Sequence, residues 1–256
     1  MSKISAIVIV YNEEKNIRRC LESLTWADEI VVVDSYSQDR TKEIASSFTD
    51  KIFDVKWEGF GKKKEFAREK ASCDWILSID ADEVVSDKLK REIKAIIETN
   101  EAPGGYYIPR LSNFLGKWIR HGGWYPDYVL RLFKKSQARF DLSLVHEKLI
   151  LDGKAGFLKN ELLHYTDPDI HHYLLKLDKY TTLGAERLFQ ESKGTSIFDL
   201  ILRPPAIFLK MFILKFGFLD GWHGCLLAGL SSFHVFVKYA KLWHLRKSHF
   251  DLKETT

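Results

Sequence analysis

Asp74-Trp75-Ile76-Leu77-Ser78-Ile79-Asp80-Ala81-Asp82-Glu83 is the stretch that decides how this chain folds. Its first half is a short, partly β-branched apolar run, and residues 75–79 read as a buried strand. The run stops at Asp80, Asp82 and Glu83, three carboxylates within four residues. At the carboxyl edge of an open α/β sheet such a cluster faces the crevice where ligands bind. Two carboxylates one residue apart can hold a hard divalent cation, with phosphate oxygens and water completing its shell. A D-x-D is also common by chance. The plainer reading is a loop of solvated acids, with residues 83–87 opening the next helix.

The flanking segments weigh between these. Residues 4–10 form a first buried strand, too continuously apolar for a one-faced edge. Asn12 is expected to cap a helix whose Ile17, Cys20, Leu21 and Leu24 fall at i, i+3, i+4 and i+7. Residues 30–33 form a second strand ending at Asp34. Ser35, Ser37 and Asp39 then make a turn and cap for a helix through Ile44 and Phe48. Residues 51–57 are a third strand and residues 62–71 a helix with a basic first half. Beyond the decisive strand, Ser86 caps a helix that carries Leu89, Ile93, Ile96 and Ile97 on one face. This alternation predicts a mostly parallel, doubly wound α/β sheet with helices on both faces and right-handed connections. Glu13, Asp34 and the Asp80/Asp82 pair all follow strands. Three acidic sites on one sheet edge point to a shared polar ligand.

After Asn100 the character changes. Residues 101–105 read as a turn, residues 106–109 and 128–133 as strands, and the aromatic stretch 118–126 as a loop over a pocket. Residues 145–150 alternate apolar with polar, as a strand or its approach. Asp167-Pro168 predicts a helix start, with Ile170, Tyr173, Leu174, Leu177 and Tyr180 at helical spacing. Residues 207–219 and 221–237 are nearly apolar, yet neither is a clean span of about 20 residues. A helix lying in a membrane interface, or a shallow hairpin, fits the flanking Lys and Arg better than a span; the plainer reading is helices that cover the sheet's flank. The expected division is an α/β domain over 1–166, in two halves over 1–100 and 101–166, and a helical, membrane-associating region over 167–256.

The 256 residues, 45% hydrophobic and 29% charged, suffice for a substantial core. The net charge of +4 is uneven. From residue 201 eight Lys/Arg face three acids, a surplus of +5, which leaves −1 for the first two hundred residues. Positive charge mixed with apolar residues suggests an anionic membrane surface more than a nucleic-acid groove. Cys20, Cys73 and Cys225 lack metal-like spacing and read as reduced cytosolic thiols. The first apolar run is short and passes straight into Tyr11-Asn12-Glu13-Glu14, unlike a signal peptide.

The order of these motifs resembles the family 2 glycosyltransferases, inverting enzymes of the GT-A fold. The resemblance rests on Tyr11-Asn12-Glu13-Glu14, Val31-Val32-Val33-Asp34-Ser35 and Leu77-Ser78-Ile79-Asp80-Ala81-Asp82-Glu83. Within the family the chain looks most like the lipopolysaccharide-core β-1,4-glucosyltransferases. That likeness adds Gly59-Phe60-Gly61 with Lys64, Arg131-Leu132-Phe133, Val145-His146-Glu147-Lys148 and the Pro- and Phe-rich tail. Two departures stand out: Lys63-Lys64-Glu65 where that group often has Gln-Lys-Asn, and Tyr36 where a Gly is frequent.

The resemblance implies a UDP-sugar donor, expected to be UDP-glucose, and a divalent cation, Mg²⁺ or Mn²⁺. It implies that Glu13 and Asp34 hold the uridine, with Tyr11 also among the nucleotide-sugar contacts. Asp80 would orient the ribose or a metal-bound water, Asp82 would ligate the cation, and Lys64 and Arg131 would assist at the phosphates. Plainer readings are a solvated helix face for Lys64 and a structural ion pair for Arg131. Inversion needs a base within reach of the acceptor hydroxyl. Glu147 is the first choice, His146 its neighbour and orienter, and Asp127 the second candidate; on a straight strand His146 and Glu147 would face opposite sides. His164 could line the site.

The resulting expectation is a hexosyltransferase acting on a lipopolysaccharide-core or other lipid-linked saccharide, peripheral on the cytoplasmic face of the inner membrane. Alternatives are transfer to polyprenyl phosphate and a non-catalytic nucleotide-binding protein at the membrane surface. A dinucleotide dehydrogenase is disfavoured because no G-x-G-x-x-G follows the first strand. Nucleic-acid binding is disfavoured by the acidic crevice.

Overall fold

The computed structural model describes residues 2–99, 102–141 and 148–254, with side chains to residue 248. β1 (Ile4–Val10) is buried on both faces, as its unbroken apolar run requires. It is followed by α1 (Ile17–Glu22), β2 (Glu29–Asp34), α2 (Thr41–Ser46), β3 (Ile52–Asp54), α3 (Phe60–Lys70), β4 (Trp75–Asp80), β5 (Glu83–Val85) and α4 (Asp87–Ile97). β3, β2, β1 and β4 pair in that order, all parallel. The two-residue period of the strands sorts their side chains between two cores. Ala6, Val8, Leu77 and Ile79 meet Ile17, Cys20 and Leu21 of α1, Ala45 of α2, and Leu89 and Ile93 of α4. Ile7, Val31, Val33 and Ile76 meet Ala67 of α3 in the other core. Helices therefore cover both faces. Ser86 caps α4 as expected, its hydroxyl accepting the Leu89 N–H at 3.2 Å.

The chain continues through β6 (Gly105–Phe114), β7 (Lys117–Trp118), β8 (Asp127–Lys134), β9 (Ala138–Phe140), β10 (Leu149–Leu151), β11 (Ala155–Phe157) and β12 (Leu162–Asp167). β8 lies antiparallel to β4 and β6 antiparallel to β8, so the sheet is mixed beyond its parallel half. Its order is β3-β2-β1-β4-β8-β6-β12-β5. In the β12–β5 pairing His164 stands opposite Glu83.

Two compact units result: Met1–Leu111 with Pro126–Tyr165, and Ser112–Tyr125 with Thr166–Thr256. The second holds α5 (Ile170–Gln190), α6 (Ile197–Ile201), α7 (Arg203–Leu209) and α8 (Trp222–Glu254), with α5 and α7 both packed on α8. Its core is Phe114, Ile119 and Leu227, with Trp124, Tyr173 and Met211 around them. Pro204 and Pro205 sit in the first turn of α7, where a missing N–H costs nothing. A wide helical turn over Lys210–Leu214 and a tight turn over Gly217–Asp220 then reverse the chain into α8. The two nearly apolar runs thus form a helical hairpin. Its crossing is close, since a Cβ on Gly224 would lie 1.9 Å from the Gly217 carbonyl oxygen. Among the described residues no helix is long and apolar enough to cross a membrane.

Two expected caps are corrected. Asn12 does not cap α1, which starts at Ile17 after Asn16. Its backbone is left-handed (φ 54°) and its amide oxygen accepts the Gln38 N–H, so it joins two loops instead. Nor does Asp167 start the long helix. Asp169 caps α5 by accepting the His172 N–H at 2.7 Å, while Asp167 is buried at the end of β12 with Lys176 Nζ at 3.5 Å. The third strand is also shorter than expected, at three residues.

Candidate active site

The strand order reverses at β1, with β2 on one side and β4 on the other. Open α/β sheets bind ligands at the carboxyl edge of such a switch. Register brings the predicted acids there together: Val10 pairs with Asp34 and Ile9 with Asp80. Convergence is visible at the Cys20 thiol, which burial pushes up and Glu83, Asp82, Asp80 and Glu13 push further.

Asp80 is engaged on both oxygens. Oδ1 faces Lys64 Nζ at 3.2 Å, and Oδ2 accepts from an Arg131 guanidinium nitrogen. Burial works against ionisation of Asp80, but the charges of Arg131 and Lys64 outweigh it and hold the carboxyl far below its ordinary range. Arg131 is itself 7% exposed and reaches Glu83 Oε1 at 2.8 Å. Glu83 has no exposure at all; it accepts the Asp80 backbone N–H at 2.9 Å and faces Arg110 at 3.5 Å. Arg110 in turn donates to Asp127 Oδ2 at 2.9 and 2.6 Å. Six side chains thus alternate in sign from Lys64 through Asp80, Arg131, Glu83 and Arg110 to Asp127. Arg131 is thus paired with both Asp80 and Glu83, and Glu83 belongs to a strand rather than to the start of a helix.

Asp82 points elsewhere. Its Oδ2 lies 3.2 Å from His164 Nε2, and its carbonyl accepts the Tyr165 N–H at 2.9 Å. Asp34 is 1% exposed and accepts the backbone N–H and the hydroxyl of Ser37. Ser37 and Thr41 hydroxyls accept the Asn12 and Glu13 N–H groups at 2.9 and 2.7 Å, stitching the loop after β1 to the loop after β2. The Glu13 carboxylate accepts from Asn16 at 2.9 Å, and Tyr11 stands exposed beside it in the chain. Tyr36 has φ 60°, the left-handed region in which a glycine is unstrained, which accounts for the frequent Gly of the resembled group. Glu65, the other departure, ties α3 to β9 by accepting the Phe140 N–H while paired with Arg68.

Glu147 and His146 lie outside the described residues. Four participants escaped the sequence reading or were left without a partner: Glu83 as a buried anchor, Arg110, His164 as the neighbour of Asp82, and Lys63. Lys63 is buried and donates to the Val10 carbonyl at 2.5 Å; burial lowers its amine to about 8 against the opposing pull of Asp34. The available signal was a charge inside an apolar strand, as at Arg110 and Arg131, which has to find a buried counter-ion.

A parallel strand switch with its acids gathered at the carboxyl edge defines an open α/β protein whose ligand end is that edge. The glycosyl transferase family 2 model matches residues 5–150, and the chain belongs to that family: it is a glycosyltransferase. It is 30% identical to the lipopolysaccharide core biosynthesis glycosyltransferase LpsC of Rhizobium meliloti, over 93% of this chain and 93% of that one. It is likewise 30% identical to an uncharacterized glycosyltransferase of Rickettsia typhi, over 96% of this chain and 88% of the relative. Among solved structures, the mannosyltransferase PcManGT of Pyrobaculum calidifontis, in complex with GDP-Man and Mn2+, superposes with a TM-score of 0.54 at 14% identity. That match covers 94% of this chain and 87% of that one, and it carries the GT-A fold.

Proposed function

We propose that this glycosyltransferase moves a hexose, glucose from UDP-glucose, to a saccharide of the lipopolysaccharide core or another lipid-linked acceptor, inverting the anomeric centre. The acceptor class is supported by the similarity to LpsC along nearly the whole chain. The observation that carries the donor reading is the division of labour within the D-x-D. Asp80 is locked between Lys64 and Arg131, whereas Asp82 turns to His164.

A carboxylate oxygen and an imidazole nitrogen 3.2 Å apart form a donor pair suited to Mn²⁺ or Mg²⁺. Among the described residues no group of three or more such side chains could hold a metal. The pair therefore fits a cation that shares its shell with the diphosphate and water, and Asp82 with His164 would hold it. When bound, it would neutralise charge on the departing diphosphate.

The remaining work falls to the chain. Asp34 and Glu13, on their stitched loops, meet the uridine, with Tyr11 beside them. Lys64 and Arg131 present fixed positive charge to the phosphates while Asp80 keeps both in place. Glu147 takes the proton of the acceptor hydroxyl as it attacks opposite the diphosphate. Asp127, half-exposed and positioned by Arg110, is the second candidate for that proton.

The test is transfer from UDP-glucose to extracted core lipid, with and without Mn²⁺. Asp82→Ala should lower turnover by about a hundredfold or more while leaving the fold intact. Full metal-dependent turnover by Asp82→Ala would remove the basis of the reading. Glu147→Gln separates acceptors: it should cripple transfer to a sugar hydroxyl and spare transfer to a phosphate oxygen, which needs little base.

A further inference from the structure

The second unit carries an apolar surface that the chain leaves open. Between residues 197 and 222 the large apolar side chains are mostly exposed: Phe198 66%, Leu214 70%, Phe216 57%, Leu219 59% and Trp222 74%. Single exposed apolar residues need no explanation, but a dense series marks an interaction surface. The aromatic members adjoin one another along the hairpin, with Phe212 and Phe216 each within 6.3 Å of Phe218.

Charge identifies the partner. Arg203, Lys210 and Lys215 are exposed in the same segment, and its two acids are engaged elsewhere than at Lys210 and Lys215. Asp199 is paired with Arg203 and closes the cap of α6, while Asp220 is buried, accepting the Arg120 and His121 N–H groups. An apolar tip ringed by cations fits a leaflet with anionic headgroups. A second copy of the chain fits less well, because a two-fold pairing would set these cations against themselves.

We propose that the hairpin over residues 203–222 inserts its tip, with Leu214, Phe216, Leu219 and Trp222, into one leaflet of an anionic bilayer, Lys210 and Lys215 meeting the headgroups. The hairpin docks without spanning, as the absence of a spanning helix among the described residues requires. The inference deepens, and in its biological sense rests on, the lipid-borne acceptor proposed above: an anchored enzyme meets such an acceptor at raised effective concentration.

Phe216 supplies a clean test. Its backbone is left-handed (φ 57°), so Phe216→Gly removes the ring while relieving the chain, and the variant folds at least as well. Full-length protein is floated with vesicles of phosphatidylcholine alone or mixed with phosphatidylglycerol, and UDP binding is measured on the same samples by calorimetry. The parent should float with the mixed vesicles, less with neutral ones, and less in high salt. Phe216→Gly and Trp222→Ser should each weaken flotation by about tenfold with UDP binding unchanged. A parent that does not float, or variants that float equally well, would overturn the proposal. So would a dimer, seen by light scattering, that Phe216→Gly dissociates. Flotation without UDP binding would sink the donor reading and leave the membrane tip standing.

Discussion

Replacing Glu83 by Gln tests whether the alternating charges behind the D-x-D are a single unit. Glu83 is completely buried and meets Arg131 at 2.8 Å, Arg110 at 3.5 Å and the Asp80 N–H at 2.9 Å. The amide is nearly isosteric, so packing survives; what goes is one negative charge between the buried guanidinium of Arg131 and the partly exposed one of Arg110. Removing one partner of a buried pair costs about 3–5 kcal/mol; Arg131 keeps Asp80 and Arg110 keeps Asp127, so the low end, about 3 kcal/mol, applies here. For a protein of this size each kcal/mol moves the melting temperature by roughly 2–4 °C, so a fall of about 6–12 °C is expected. Glu43→Gln is the control: it breaks only the exposed pair with Arg40 and should melt with the parent. Differential scanning calorimetry reads the first effect, and UDP affinity, expected to weaken as Asp80 and Arg131 lose their support, reads the second. Glu83→Gln melting within about 2 °C of the parent would show that Arg131 and Arg110 do not depend on it, and the network argument would fail.

Other expectations are simpler. Burial opposes ionisation of Glu29, but bonds from Lys51, Ser5 and Ser72 prevail and take its carboxyl down to about 2. Because that lies below the unfolded value of 4.5, its contribution is complete above that pH and is lost as pH falls toward 2. About 3 kcal/mol of acid sensitivity should disappear in Glu29→Gln, checked by urea titrations at pH 5 and below. Tyr36→Gly should raise stability by about 1 kcal/mol, since φ 60° strains a tyrosine; an unchanged urea midpoint would refute this. His164→Ala should raise the Mn²⁺ concentration for half-maximal turnover at least about tenfold, whereas an unmoved metal titration would leave Asp82 without its partner.

How much of this was legible follows from range. Local signals carried the first hundred residues: a short apolar run bounded by turn residues favours a strand buried on both faces, and β1, β2 and β4 are where such runs sit. The i, i+3, i+4, i+7 set expected from residue 17 is wholly buried, its last member Leu24 just past the end of α1, and Ser86 caps α4. The misread positions are those where a side chain answers to a distant segment. Asn12 is a competent cap by type, but its oxygen is claimed by Gln38 on the next loop. Asp167 precedes a proline, yet it ends a strand and is buried. In each case a tertiary contact outbid a local preference, and local preference was all that spacing could supply.

The site divides in the same way. Asp34, Asp80 and Asp82 were visible because each terminates a recognisable strand, so the edge they share follows from the topology alone. Their states do not follow from it. Asp80 and Asp82 are one residue apart and chemically alike, yet Asp80 is consumed by two cations and Asp82 by none that is permanently charged. The difference comes from β8, which runs antiparallel beside β4 and delivers Arg131, and from β12, which delivers His164 to Asp82. Arg131 lies 51 residues from Asp80 and His164 lies 82 from Asp82, where no period or motif spacing reaches. A repeated carboxylate thus marks where chemistry can occur, and the strands that arrive later decide which charged partners each of the two meets.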